Sequence, residues 1–331
     1  MSTKMWRAAV IGCGGISMSG HLPGWRNIEN AELVAVCDID EKRAKAAGVK
    51  FAAPSFTNVE RMMREVRPDV VDVCVSEVQH YETTMQAIEG GAHVICEKAM
   101  TDSLDKARTM VAKAKEKGLV LAMQFNYRHM PMFKKIKEYL EEGTLGELAT
   151  IAFYAHSGAF HHAIDLLSFF GGEIESVSSA YRPSAQDQGS PPESLGGWCY
   201  VPSRNKVLTV HFASGALGVI YGSHHRNLWI EDILTVDVVA ENMRLCGTGI
   251  SLMDTVGELR TFAANRAVPL GMLPVSFFKS FEWCNRAFLA SLDTGKPPTA
   301  SGMDGLKALM VEEAEVRSNR ERRWISLSEI A

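Results

Sequence analysis

Three short stretches carry side chains whose types and spacing could do chemistry. The first, HVICEK (93–98), runs through apolar residues and ends on Glu97 and Lys98. A lysine amine can give or take a proton near neutral pH when burial or a neighbouring positive charge lowers its pKa. The same two residues also fit a solvated pair where a chain leaves a sheet, and their types alone do not choose. The second, FHHAIDLLSFF (160–170), sets His162 and Asp165 three positions apart, on one face of a helix whose Ile164, Leu167 and Phe170 point inward. An imidazole there could exchange protons, although a histidine near a helix start also fits plain packing, as does the adjacent His161. The third, GCGGIS (12–17), spaces Gly12, Gly14 and Ser17 as G-x-G-x-x-small. Gly12 permits a tight turn, Gly14 lets backbone approach a pyrophosphate, and a small residue at 17 lets helix and strand pack closely. Free N–H groups at the following helix start favour negative charge, which adds Gly15 and Ile16 to the candidate cofactor contacts.

Those side chains need elements to place them. RAAVIG (7–12), ELVAVCD (32–38), VVDVCVS (70–76), HVICEK (93–98) and LVLAMQF (119–125) read as strands, rich in valine and poor in charge, as strands covered on both faces should be. Helical stretches separate them. In SLDKARTMVAKAKEKG (103–118), Leu104, Ala107, Met110, Val111 and Ala114 keep helical spacing and Gly118 marks the stop. The alternation predicts an α/β fold whose doubly wound parallel sheet forms a Rossmann domain over residues 1–125. The glycine turn then lies between a strand and a helix. Asp38 ends the next strand, about 20 residues further on, placed to bond a ribose hydroxyl. That context predicts a dinucleotide cofactor. Asp38 would repel a 2′-phosphate, which favours NAD, while Lys42 and Arg43 keep NADP open. Ligands in such sheets bind outside the carboxyl ends of the strands. Ser76 and His80 after the third strand, and Glu97 and Lys98 at the end of the fourth, therefore join Arg43 as candidate cofactor contacts.

Beyond residue 150 the alternation stops. SFFGGEIESVSSAYR, NKVLTVHFASGALGVIYGSHHR and DILTVDVVAENMRLCG read as strands with tight turns, so residues 126–331 form a second, α+β domain. RPSAQDQGSPPESLGG (182–197) and NRAVPLGMLP (265–274) read as loops. His224 and His225 alternate across a strand, so at most one faces any pocket, and Arg226 and Trp229 could line a sugar site. No internal repeat is present.

Composition excludes several classes. At 46% hydrophobic and 22% charged, the 331-residue chain is ordinary for a globular protein. A formal net charge of −4 offers no basic field for nucleic acid or an anionic membrane. No apolar run is long enough to span a bilayer, and MSTKMWRAAVIG lacks a signal-peptide layout. Seven scattered cysteines, with Cys37, Cys74 and Cys96 inside apolar runs, suit reduced thiols in a cytoplasmic protein. His80, His161, His162 and Asp165 show no ligand spacing, and no metal is expected.

VIGCGGIS, VAVCDIDEKRA, HVICEKAM, NYRHMP, GTLGEL and HHAIDLL occur in the order found in the glucose–fructose oxidoreductase/inositol dehydrogenase (Gfo/Idh/MocA) family, which the chain resembles over nearly its whole length. The resemblance implies an N-terminal Rossmann domain and a C-terminal α+β domain. The second domain's large, mostly antiparallel open sheet commonly mediates oligomers, here a homodimer or homotetramer. It implies oxidation or reduction of a sugar, polyol or related compound with NAD or NADP. Lys98 matches the catalytic lysine of the family's Glu-Lys-Pro motif, with Glu97 beside it. His80 matches a histidine of the preceding helix. Asn126 and Arg128 match an Asn-x-Arg segment and, with His161, are candidate substrate contacts. His162 and Asp165 match a His-x-x-Asp motif whose histidine shares proton transfer with the lysine, and Asp165, the third candidate catalytic residue, would orient His162 or bond a substrate hydroxyl.

Departures from that pattern are Ala99 in place of proline, Ser17 in place of glycine or alanine, and Gly158 where several members carry a catalytic aspartate. The segment between GELAT and His162 is also short. These predict a rebuilt substrate wall and an acid–base set reduced to Lys98 and His162. Two rivals share the fold: a hydrolase or lyase that uses NAD only transiently, and a sugar or nucleotide sensor without chemistry.

Overall fold

The computed structural model describes residues 4–181, 205–223, 234–250, 256–263 and 266–330. The expected loop at 182–197 and His224, His225, Arg226 and Trp229 lie outside them. The chain divides into two compact units. One is Met1–Asn126 with Phe278–Leu306, and the other is Tyr127–Phe277 with Lys307–Ala331.

The first unit is built on six parallel strands. They are β1 (Trp6–Ile11), β2 (Ala31–Cys37), β3 (Ser55–Phe56), β4 (Val70–Val73), β5 (His93–Cys96) and β6 (Leu121–Met123), ordered β3-β2-β1-β4-β5-β6. Ala8, Ala9, Val10, Val70, Val71, Val94 and Ile95 are all fully buried, which is why these runs read as continuous apolar stretches rather than alternating ones. All five strands expected from the sequence are present. The edge strand β3 is the addition, two residues with no apolar run to signal it. Between the strands lie α1 (Leu22–Arg26), preceded by a π-type turn at Ser17–His21, then α2 (Glu41–Phe51), α3 (Val59–Val66), α4 (Glu77–Glu89) and α5 (Leu104–Glu116). Strand order reverses between β1 and β4, and a crevice forms at the carboxyl ends of strands at such a switch point.

A single boundary between residues 125 and 126 leaves out the return of the chain to this unit. Cys284, Phe288 and Leu289 of α8 (Phe277–Thr294) share one apolar core with Trp6, Leu22 and Trp25. Trp6 Nε1 also donates to Asp293 Oδ1 at 2.9 Å. Helix α8 thus buries its apolar stripe against the opening of the chain, a pairing that sequence order does not reveal.

Among the described residues, the second unit carries nine strands in the order β14-β13-β12-β11-β7-β10-β9-β8-β15. These are β7 (Leu148–His156), β8 (Ile174–Tyr181), β9 (Asn205–Phe212), β10 (Leu217–Ser223), β11 (Leu234–Ala240), β12 (Arg244–Ile250), β13 (Val256–Ala263), β14 (Arg266–Pro274) and β15 (Ile325–Ser326). Among these described strands, only β7 and β10 pair in parallel, and the other seven pairings are antiparallel. Helices α6 (Pro131–Glu141) and α7 (Phe160–Gly171) belong to this unit, as does most of α9 (Gly302–Glu321). The expected loop at 265–274 is corrected from residue 266 onward, where β14 runs as a strand. It carries Pro269 and Pro274 and is the outermost described strand on its side of the sheet, the place in a sheet where proline is chiefly found. Phe153, Ile220 and Val238 are buried on one face, while Tyr154 and Tyr221 stack at 4.9 Å on the other and remain exposed.

Candidate active site

The glycine turn leaves β1 with Gly12 at φ +97°, and a Cβ there would lie 2.1 Å from the carbonyl oxygen of Cys74. Any side chain at this position would have to displace the end of β4, so Gly12 is required by both conformation and space. At Gly14 and Gly15 the opposite holds. A Cβ would meet nothing within 4 Å, so the backbone is open to an approaching ligand. Ile16 is exposed, whereas Ser17 is fully buried where helix and strand meet. Asp38 ends β2 with its carboxylate anchored from two sides. Its Oδ2 accepts from the Cys13 amide and its Oδ1 from the Asp40 amide, each at 2.8 Å. The acid therefore locks the glycine turn to the end of the neighbouring strand. Asp40 caps α2 and accepts from Arg43 Nε at 3.3 Å, and that nitrogen stands 4.0 Å from Asp38 Oδ1. An open cradle beside an anchored carboxylate fits an adenine dinucleotide: backbone for the pyrophosphate, Asp38 for a ribose.

At the carboxyl end of β5, Glu97 is buried and Lys98 half-buried. The Lys98 amide donates to Glu97 Oε2 at 2.9 Å. The Lys98–Ala99 peptide is cis. His80 braces this turn. Its Nδ1 lies 2.7 Å from the Ala99 carbonyl and its Nε2 3.1 Å from that of Val75. Burial holds the imidazole below its ordinary pKa, so at neutral pH it donates through one nitrogen, and the shorter contact favours Ala99. Ser76 sits exposed at the N-cap of α4, its hydroxyl donating to Gln79 Oε1. Asn126 is buried and donates to the Ser280 hydroxyl at 2.6 Å, a packing partner within the first unit.

The second unit places His162 in α7, whose Phe160, Ile164, Leu167 and Phe170 are buried. Gly172, at φ +86°, terminates the helix by returning its amide to Ser168 O. The His162 ring stacks on Tyr127 with centroids 4.0 Å apart and planes within 1°. Both rings are buried, and burial pushes the Tyr127 phenol up, so it stays neutral. Asp165 lies one turn on and binds Arg128: the guanidinium Nε is 3.0 and 2.9 Å from the two carboxylate oxygens, and the terminal nitrogen is 2.6 Å from Oδ1. His161 turns toward α9 and pairs with Glu312. Gly158 lies in a short 3₁₀ turn at Ser157–Ala159, and its amide donates to His156 Nδ1 at 3.1 Å. Among the described residues, no group of three His, Cys, Asp or Glu side chains is arranged to hold a metal ion, and no helix is long and apolar enough to cross a membrane.

Sequence reasoning missed several of these neighbours. Tyr127 lies far from His162 in the sequence, and nothing in NYRHMP marks it as the stacking partner of that ring. Asp72 was a visible signal, a lone charge inside the buried run VVDVCV, and His21 is its partner.

Residues 6–125 match the model of GFO_IDH_MocA, the oxidoreductase family with an NAD-binding Rossmann fold. Residues 6–125 thus carry the NAD-binding domain of the Gfo/Idh/MocA family. D-apiose dehydrogenase of Paraburkholderia graminis is 27% identical over an alignment covering 99% of this chain and 92% of that one. Myo-inositol 2-dehydrogenase of Thermotoga maritima is 26% identical, covering 98% and 99%. An oxidoreductase from Agrobacterium radiobacter, solved with NAD+, L-tartaric acid and magnesium, shares the fold with a TM-score of 0.85 at 19% identity, covering 99% of this chain and all of that one. The matched domain and the relatives' names make this chain an NAD(P)-dependent oxidoreductase, and the glycine turn and Asp38 have the chemistry to hold such a cofactor.

Proposed function

We propose that this protein is a Gfo/Idh/MocA member over its whole length and oxidises or reduces a carbinol carbon of a sugar, polyol or sugar-derived substrate. Two relatives along the full chain are named for such substrates, D-apiose and myo-inositol. The observation that carries the reading is Lys98 at the carboxyl end of β5, its main chain fixed by Glu97, in the sheet that bears the open glycine turn. NAD(P), when bound, supplies a nicotinamide able to accept or give hydride. In the oxidative direction, Lys98 and His162 hold the substrate hydroxyl and take its proton. Stacking on Tyr127 fixes the plane of the His162 ring. Arg128 occupies the Asp165 carboxylate, which supports Asp165 acting by holding α7 in place rather than by exchanging protons. Asp38 favours NAD over NADP. The exposed, stacked pair Tyr154 and Tyr221 on the open sheet face supports a homodimer or homotetramer.

Steady-state turnover with NAD+ across sugars and polyols that include D-apiose and myo-inositol tests the reading, for wild type and Lys98→Ala. Net nicotinamide reduction with at least one substrate is expected, with a loss of at least about 100-fold in the variant. Equal turnover by Lys98→Ala would overturn the role of the lysine. Product formation without net nicotinamide reduction would point to transient redox instead.

A further inference from the structure

Three ionisable side chains meet beneath the β5 turn: Glu97, which fixes the Lys98 main chain, and His21 and Asp72, which this mechanism does not use. His21 Nδ1 lies 2.8 Å from Asp72 Oδ2, and His21 Nε2 lies 3.1 Å from Glu97 Oε1. His21 and Asp72 are fully buried, and the Glu97 side chain is only 10% exposed. Asp72 Oδ2 also accepts from Trp25 Nε1 at 2.7 Å. The other Glu97 oxygen accepts the Lys98 amide. The chain of contacts therefore runs Trp25, Asp72, His21, Glu97 and the Lys98 backbone. It crosses from the helix after the glycine turn, through the middle of β4, to the end of β5.

We propose that His21 is a positioning residue for Lys98, bridging Asp72 and Glu97 so that the Glu97 carboxylate is held in the orientation that fixes the Lys98 main chain. Each ring nitrogen faces a carboxylate oxygen, and an imidazole satisfies two acceptors only when both nitrogens carry hydrogen. The surroundings agree. Burial alone would lower the pKa of His21, but the Asp72 carboxylate, with Cys74, outweighs it and holds the ring well above its ordinary range. The remaining face is covered by the Phe281 ring of α8 at 4.6 Å. Packing gives no reason for such a cluster, because apolar side chains of similar volume commonly serve a core as well or better than buried charges. Its location gives one: the cluster sits under the single residue in this unit proposed to handle the substrate proton. The inference rests on the role proposed for Lys98, yet its structural part can be tested without substrate.

The NAD+-bound protein, labelled with 15N-histidine, is expected to show both His21 ring nitrogens protonated at pH 7. One deprotonated ring nitrogen would overturn the bridge. In His21→Gln, and separately in Asp72→Asn, hydrogen exchange of the Lys98 amide should accelerate at least about tenfold while Val71 and Val94 amides keep their protection. Unchanged Lys98 exchange in a folded variant would also overturn it. If His21→Gln fails to fold, the wild-type ring measurement and Asp72→Asn still decide. With a turned-over substrate, kcat should fall at least about tenfold in either variant while the NAD+ dissociation constant stays within about threefold. Normal turnover in Lys98→Ala combined with the expected exchange result would sink the catalytic reading and leave the positioning intact.

Discussion

Arg128 grips both carboxylate oxygens of Asp165, and the two side chains are only 4% and 1% exposed. The pair ties the segment just after Asn126 to the helix that carries His162. Arg128 also lies over the Phe169 ring at 5.0 Å, so its planar group is fixed on its face as well as at its edge. A carboxylate so engaged makes α7 a rigid platform for the imidazole one turn before it.

Removing either partner should leave an uncompensated buried charge. Arg128→Met or Asp165→Asn is expected to cost about 3–5 kcal/mol in urea unfolding. The double replacement Arg128→Met with Asp165→Leu should recover most of that loss, because both charges go together. Additive losses in the double variant would contradict this account of the pair.

Cofactor choice should turn on Asp38. Asp38→Asn keeps an acceptor for the Cys13 amide but removes the negative charge facing a 2′-phosphate, and Arg43 stands within 4.0 Å. We expect the ratio of NADP+ to NAD+ dissociation constants, read by fluorescence titration, to fall by at least about tenfold. A ratio unmoved by the substitution would mean that discrimination lies elsewhere.

Much of the first unit is readable in sequence because its strands are covered on both faces. Runs such as AAVI and VVDV admit few alternatives, and a charged pair at the end of HVIC marks a strand reaching a site edge. What could not be read depends on contacts between distant parts of the chain. Asp72 stands out in its valine run, yet its partner His21 lies 51 positions away and is chosen by sheet order. Arg128 and Asp165 were each found by motif, but their pairing across 37 positions was not. Strand β14 is obscured by Pro269 and Pro274, which sheets accept at edges and bulges, and α8 returns to the first unit through an apolar face any core could have used.

The acid limb of stability should carry the signature of His129. Burial, with Lys134 and Arg128 nearby, lowers its pKa from 6.5 to about 3. In the unfolded chain the ring protonates at its ordinary value, so the unfolded state takes up the proton first as pH falls. The contribution is fully present above pH 6.5 and is lost progressively down to about 3. Between pH 7 and 5 this amounts to about 2 kcal/mol. His129→Gln cannot titrate, so the wild-type stability measured relative to the variant should decline by about that much over the interval. Other titrating groups are common to both proteins and cancel in the difference. Parallel urea-midpoint curves from pH 7 to 5 would show that His129 is protonated in the fold and refute its neutral burial.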